Sequence, residues 1–376
     1  MKLNWTFSSE GEKVAIISFT LIAILVFLAG FSRLSWDGAI SGGDDLAMYN
    51  EAQTRNSLEK IFDPFFKQAT IHTQTHYMPL DIMEWGLFAR FFGTGAFGYH
   101  VVIFLFHIAA AVLLFFVLRK MEYGRWAAYV GSVLFFIFPL HINTLNWIAS
   151  GTRHPLAAIF LLLTLFFFLN FLSKKKLRYY LLTFLLFVLG SLFIEAFYLF
   201  VILMVYEFWI FKENSESKKP DWKNLKKYVP FVLAGIFFFL LNAVRFGESL
   251  IARFNGGLPL TPVVFFRLGD FIKEIFWPFL VSDFLFKAIL IFAVFLLGLA
   301  VLALEKQKMP KFWVFWIVCI GIMAVAVNLR PLPETIRYTY VLSIGCFAII
   351  AHYFDRPNIF FKLVPVALGA IYLLSM

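Results

Sequence analysis

Apolar runs of about 20 residues, long enough to cross a bilayer, recur from Val14 to the C-terminus of this 376-residue chain. A soluble fold has no place for so many of them. The composition agrees, with 61% of residues hydrophobic and only 15% charged, where soluble domains carry about a quarter charged. Backbone inside a bilayer must satisfy its own hydrogen bonds, so runs of this length are read as helices. The chain is therefore expected to be an all-α polytopic membrane protein, forming a single integral membrane domain over residues 1–376.

Hydropathy broken by charge predicts about eleven spans, near 14–31, 99–118, 126–142, 155–172, 179–194, 196–211, 229–244, 285–304, 312–328, 337–352 and 359–375. The first run lacks a small-x-small cleavage site and is read as a retained anchor. The run from Tyr179 to Phe211 exceeds one crossing and carries Gly190, Ser191 and Glu195 near its middle. It is split into a helical hairpin, a single tilted helix being the alternative.

The net charge of +10 encodes threading rather than a nucleic-acid partner. With a cytoplasmic N-terminus, the inner loops hold Arg119, Lys120 and Arg125, then Lys174, Lys175, Lys176 and Arg178, then six lysines from Lys212 to Lys227, then Lys306, Lys308 and Lys311. That is the positive-inside pattern. Segment 32–98 carries five basic against eight acidic residues and belongs outside, as a loop with amphipathic helices on the outer leaflet. A second outer interfacial segment covers 245–284. Cys319 and Cys346 lie in apolar runs, which offers neither a disulfide framework nor a thiolate metal site.

Polar residues that could carry chemistry collect on the outer side. Ser41-Gly42-Gly43-Asp44-Asp45-Leu46 follows the first span, with the acids opening a helix. Adjacent helical positions point about 100° apart, so one acid can cap a helix while the other serves as general base. His72 and His76 have i, i+4 spacing, but the sequence places no third ligand, and the pair reads as interfacial rather than as a metal site. Pro155 suits the first position of a helix. The fourth span then begins outside, with Arg153 and His154 beside its positive end, an anion site in outline. Anchoring to lipid phosphates is the other use of such an Arg. His141, Glu195, Arg337 and Tyr338 also fall at outer ends of spans, where a charge in an apolar helix needs a partner or a polar cavity.

The order of these motifs resembles the GT-C superfamily of membrane glycosyltransferases, in particular its protein O-mannosyltransferase-like and tetratricopeptide-linked mannosyltransferase branch. The resemblance rests on Gly43-Asp44-Asp45, His76-Tyr77-Met78-Pro79-Leu80, Phe97-Gly98-Tyr99-His100, Phe138-Pro139-Leu140-His141 with Trp147, Gly151-Thr152-Arg153, Glu195 and Ile336-Arg337-Tyr338-Thr339-Tyr340. Met78 stands where the family has Arg, and Ile194 where a Lys often precedes the Glu.

The resemblance implies an inverting transfer from a polyprenyl-phosphate-linked sugar donor to a glycan, lipid or protein acceptor, on the outer face of a plasma (inner) membrane. Asp44 would be the general base and Asp45 its catalytic neighbour, orienting the acceptor or capping the helix. Arg153, Arg337 and His154 would bind the donor phosphate, and His76, Tyr77, His141, Glu195 and Tyr338 would line the site. No cofactor is implied; a divalent metal between Asp44 and the phosphate is left open. The competing classes are a lipid-linked substrate flippase or transporter, which would concentrate ionisable groups near the midplane, and a non-catalytic assembly subunit of the same fold.

Overall fold

The computed structural model describes residues 17–18, 20–22, 24, 40, 43–54, 60, 62–66, 78–193, 199–211, 222–238, 240–241, 307–327, 339–357 and 359–375. They form helices α1 (Gly43–Gln53), α2 (Asp63–Phe66), α3 (Pro79–Phe92), α4 (Ala96–Lys120), α5 (Arg125–Phe136), α6 (Leu140–Asn146), α7 (Ile148–Lys174), α8 (Leu177–Phe193), α9 (Leu199–Val205), α10 (Lys308–Val327), α11 (Thr339–Phe354) and α12 (Ile359–Ser375), with no strand among the described residues. A π-helical turn, Tyr206–Phe211, continues α9.

Helices α4 and α7 are long and apolar enough to cross a membrane, while α8, α9 with its extension, and α11 are shorter apolar helices. The expected count of about eleven spans is not reached among the described residues. The span at 285–304 and the segment 245–284 lie outside them.

Helix α4 packs against α5 and α7, α7 against α8, and α11 against α5 and α10. The main core is aromatic and aliphatic, with Leu114, Leu161, Phe168, Trp313, Trp316 and Ile344 at 1% exposure or less. A smaller core joins α1, α3 and the starts of α4 and α7 through Met48, Trp85, Tyr99, Ile103 and Ile148. Trp85 and Phe92 meet Tyr99 at ring centroids 5.5 Å and 5.4 Å apart. Helix α3 stops at Gly93, whose φ of 57° is in the left-handed region that glycine adopts most readily. Its carbonyl accepts a hydrogen bond from the Tyr99 hydroxyl. The polar segment before α4 is thus held by a core of its own.

Two expected boundaries move. The span predicted at 126–142 is broken: α5 ends at Phe136, and α6 starts after Pro139. Proline has no N–H and disfavours helical geometry in the residue before it. The break leaves the carbonyl of Phe136 without a helical partner, and His107 Nε2 takes it at 2.9 Å. The second correction concerns Pro155, which lies inside α7 rather than at its first position. Helix α7 begins seven residues earlier, at Ile148, because its first N–H groups find an acceptor elsewhere in the chain.

The hairpin reading of 179–211 fits the contacts. Tyr180, near the start of α8, donates to the Lys227 carbonyl. Glu207, beyond the end of α9, accepts from Lys227 Nζ and the Tyr228 hydroxyl. The two helices therefore have opposite ends at one level, as an antiparallel pair must. That level also holds Lys174, Lys175, Lys176 and Arg178 around the tight α7–α8 turn, where Lys175 closes α7 with a φ of 52°.

Candidate active site at the head of helix α7

Helix α7 separates two kinds of chemistry. Its tail is the lysine-rich turn, and its head, about 40 Å away at 1.5 Å per residue, gathers acids and Arg153. The Asp45 carboxylate, at the start of α1, accepts hydrogen bonds from the backbone N–H groups of Ile148 at 3.2 Å and Ala149 at 2.8 Å. Those are among the donors that a helix leaves unsatisfied at its start. The carboxylate also sits against the positive end of the helix dipole. Asp45 is thus a cap, of a helix more than 100 residues away in sequence.

One turn further along α7, Arg153 donates to Asp81 Oδ2 of α3 through both Nε at 3.1 Å and Nη2 at 2.5 Å. Asp81 is 0% exposed. Two acids of the chain therefore meet the two positive features that the sequence pattern assigned to a bound anion. His154 is buried beside them on α7.

Glu84 lies one turn after Asp81 on α3, so the two share a helix face. It is buried, and neither of its carboxyl oxygens has a hydrogen-bond partner. Burial pushes its pKa well above the ordinary value of 4.5; the nearby Asp81 charge adds to that, and Arg153 works against it. A carboxyl in that position favours its neutral form more than an exposed one does. Sequence reasoning missed both Asp81 and Glu84. The available signal was their i, i+3 spacing directly after Met78-Pro79.

Glycine closes the head of α7 onto α4. A Cβ on Gly151 would lie 2.9 Å from Ile103 Cγ2 and 3.0 Å from the Leu145 carbonyl oxygen. This close approach gives the Gly151-Thr152-Arg153 motif a packing role beside its chemical one.

His141 is placed elsewhere. It lies on α6, 1% exposed, and its Nε2 meets Ser343 Oγ at 3.0 Å. That hydroxyl donates its proton to the Tyr340 carbonyl, so the histidine ring must be the donor toward Ser343. Tyr340 and His107 complete the network, with the Tyr340 hydroxyl and His107 Nδ1 at 2.6 Å. A carbonyl can only accept, so His107 carries its proton on Nε2 toward Phe136, and Nδ1 accepts from Tyr340. This network joins α4, α5, α6 and α11 in the main core.

The remaining candidates lie outside what the structure describes. These are His76, Tyr77, Glu195, Arg337 and Tyr338, together with the side chain of Asp44, whose backbone is helical in α1. No group of three or more His, Cys, Asp or Glu that could hold a metal ion occurs among the described residues.

Residues 84–244, which include most of this site's α7 side, match the family model of dolichyl-phosphate-mannose-protein mannosyltransferases. The fold matches the crystal structure of the oligosaccharyltransferase of Archaeoglobus fulgidus in the apo form, with a TM-score of 0.54 at 13% identity, over 99% of this chain. It also matches ArnT from Cupriavidus metallidurans in the apo state, with a TM-score of 0.51 at 12% identity, over 95% of this chain. The chain therefore shares its fold with these two proteins, and the mannosyltransferase model matches it over less than half of its length. It spans 55% and 63% of the lengths of those two proteins. No curated protein sequence matches it.

Proposed function

We propose that this GT-C chain is a multi-pass membrane glycosyltransferase that moves a sugar from a polyprenyl-phosphate-linked donor to an acceptor on the outer face of the membrane, with inversion. The observation that carries the reading is the gathering of acids at the head of α7, where Asp45 caps the helix and Asp81 holds Arg153. Asp45 is committed to its cap, which assigns the base to its neighbour Asp44. The Asp44 carboxylate takes the acceptor's proton as the acceptor oxygen or nitrogen attacks the anomeric carbon, and the bond from that carbon to the phosphate oxygen breaks. General-base assistance of this kind contributes about 10²–10⁴-fold.

Arg153 is engaged by a buried acid, so its part in this mechanism is to position the head of α7. The leaving phosphate's charge is met by Arg337, three residues before Tyr340 in the sequence. Glu195, His76, Tyr77, His154 and Tyr338 line the acceptor and donor paths. The chemistry asks for no cofactor. The ionisable residues of α7, Arg153, His154 and Lys174, lie near its ends and not at its middle, which favours transfer at an interface over carriage through the bilayer.

The test is sugar transfer in nanodiscs from a panel of radiolabelled polyprenyl-phosphate sugars with a crude acceptor extract. Transfer by the wild type, lost in Asp44→Asn and Arg337→Ala while both variants stay folded, supports the reading. A folded wild type that leaves every donor intact, or an Asp44→Asn variant with full activity, overturns it.

A further inference from the structure

At the tail of α7, opposite the candidate active site, positive charge gathers without matching negative charge. Lys174 is the last residue of α7 and Arg178 the second of α8. Both are exposed, and both donate to one oxygen, the Tyr179 hydroxyl, at 3.3 Å from Lys174 Nζ and 3.2 Å from Arg178 Nη2. Their charges also sit over the Tyr179 ring, 5.0 Å and 4.9 Å from its centroid, and that ring stacks on Phe167. Lys120, which ends the neighbouring helix α4, is near enough to Lys174 to feel its charge. Among the described residues, neither Lys174 nor Arg178 forms an ion pair with a carboxylate, and the acid that acts on Lys120 is Glu122.

Two like charges anchored to one oxygen repel each other. The helix dipole favours a cation at the end of α7, but it disfavours one at the start of α8, where Arg178 stands. An anion between the two cations turns that repulsion into attraction. Lysine and arginine can only donate hydrogen bonds, so the Tyr179 oxygen accepts in both contacts and its own proton is left for a third group. Every polar group of the cluster then presents N–H or O–H, a donor set that matches a phosphate.

The apolar surface beside the cluster decides what carries the phosphate. Arg178, Leu181, Leu182 and Leu185 have i, i+3, i+4 and i+7 spacing, which places them on one face of α8, and all four are exposed. A charged head therefore tops an exposed leucine stripe that runs along an apolar helix away from the turn. Free phosphate leaves that stripe uncovered, whereas a phospholipid lays an acyl chain on it.

We propose that the α7–α8 turn is a specific binding site for an acidic phospholipid, in which Lys174, Arg178 and Tyr179 clamp the headgroup phosphate and Leu181, Leu182 and Leu185 hold an acyl chain. The site lies at the opposite end of α7 from the Asp45 cap and does not depend on the transferase reading. It differs from the general attraction of basic loops for an anionic leaflet, because it requires the Tyr179 hydroxyl and the two cations paired on it, and not charge alone.

The experiment is native mass spectrometry of the full chain, titrated with three probes. These are phosphatidylglycerol, phosphatidylcholine of the same acyl chains, whose choline cancels the phosphate charge, and glycerophosphoglycerol, the anionic headgroup without a tail. The variants are Lys174→Gln with Arg178→Gln, Tyr179→Phe, and the charge-matched pair Lys308→Gln with Lys311→Gln on α10, each checked for folding by thermal unfolding. The wild type is expected to bind its first phosphatidylglycerol about tenfold more tightly than phosphatidylcholine, and to bind glycerophosphoglycerol far more weakly than either lipid. Lys174→Gln with Arg178→Gln should abolish the preference for phosphatidylglycerol, and Tyr179→Phe should reduce it about threefold. The pair on α10 should keep it.

Equal affinity of the folded wild type for the two lipids overturns the proposal. So does an equal loss of preference in the two double variants, which leaves only non-specific attraction to basic loops, or an unaltered preference in folded Tyr179→Phe. Glycerophosphoglycerol bound as tightly as the lipid makes this a site for a free anion and overturns the phospholipid assignment.

Discussion

The carboxylate of Asp45 lies 2.8 Å from the backbone nitrogen of Ala149, joining the first helix of the polar segment to the start of a 27-residue helix. This contact explains why α7 begins before Pro155, and it commits Asp45 to a cap. Asp45→Ala removes a cap and should cost about 0.5–2 kcal/mol, read as a lower Tm. Asp44→Asn should leave Tm unchanged and reduce transfer about 10²–10⁴-fold. Equal losses of stability in both variants would refute the division of roles.

The pair of Arg153 and Asp81 makes a larger prediction. Asp81 is fully buried, so Arg153→Ala strands its charge and should destabilise by about 3–5 kcal/mol. Replacing both, as Arg153→Met with Asp81→Leu, should recover much of the loss, because no buried charge remains. A double-mutant cycle on thermal or denaturant unfolding measures the coupling.

Glu84 gives stability a dependence on pH. Its folded-state pKa is raised above the ordinary value of 4.5, so the native chain holds the proton that the unfolded chain releases. The resulting stabilisation is complete below about pH 4.5 and is lost as pH rises through the raised value. Wild-type Tm should fall over that interval more steeply than that of Glu84→Gln. Parallel Tm profiles for the two would show that Glu84 does not hold a proton in the native state.

Tyr340→Phe should cost about 1–3 kcal/mol. It removes the donor to His107 Nδ1 and leaves that buried nitrogen unsatisfied. The His107 imidazole resonances, followed by NMR on ring-labelled protein, should shift in the same variant.

Gly151→Val should destabilise by about 1–3 kcal/mol, since added side-chain atoms must displace Ile103 or the α6 backbone. A Tm equal to wild type would mean that α7 slides along α4 without penalty.

Much of the helical framework could be read from the chain. The runs at 99–118, 179–194, 337–352 and 359–375 appear as α4, α8, α11 and α12 with ends shifted by a few residues. Pro139 and Pro155 were harder to place. The sequence reading ran a span through Pro139, which instead precedes the start of α6, and made Pro155 a helix start, which fails because a remote carboxylate supplies the first N–H groups of α7 with an acceptor upstream of Pro155. Arg153 was visible as a positive group awaiting an anion. That the anion is Asp81, 72 residues earlier, was not visible.

The sequence by itself determined that this chain is built of apolar helices with their polar residues at the ends. Lipid cannot hydrogen-bond a backbone, and burying charge in it is costly, so hydropathy and spacing suffice for that much. Only the tertiary structure decided which acid caps, which acid holds an arginine and which stands buried without a partner. Those outcomes depend on Asp45 meeting Ala149 and on Asp81 meeting Arg153 across long stretches of chain. A contact between distant segments leaves no periodicity in either of them.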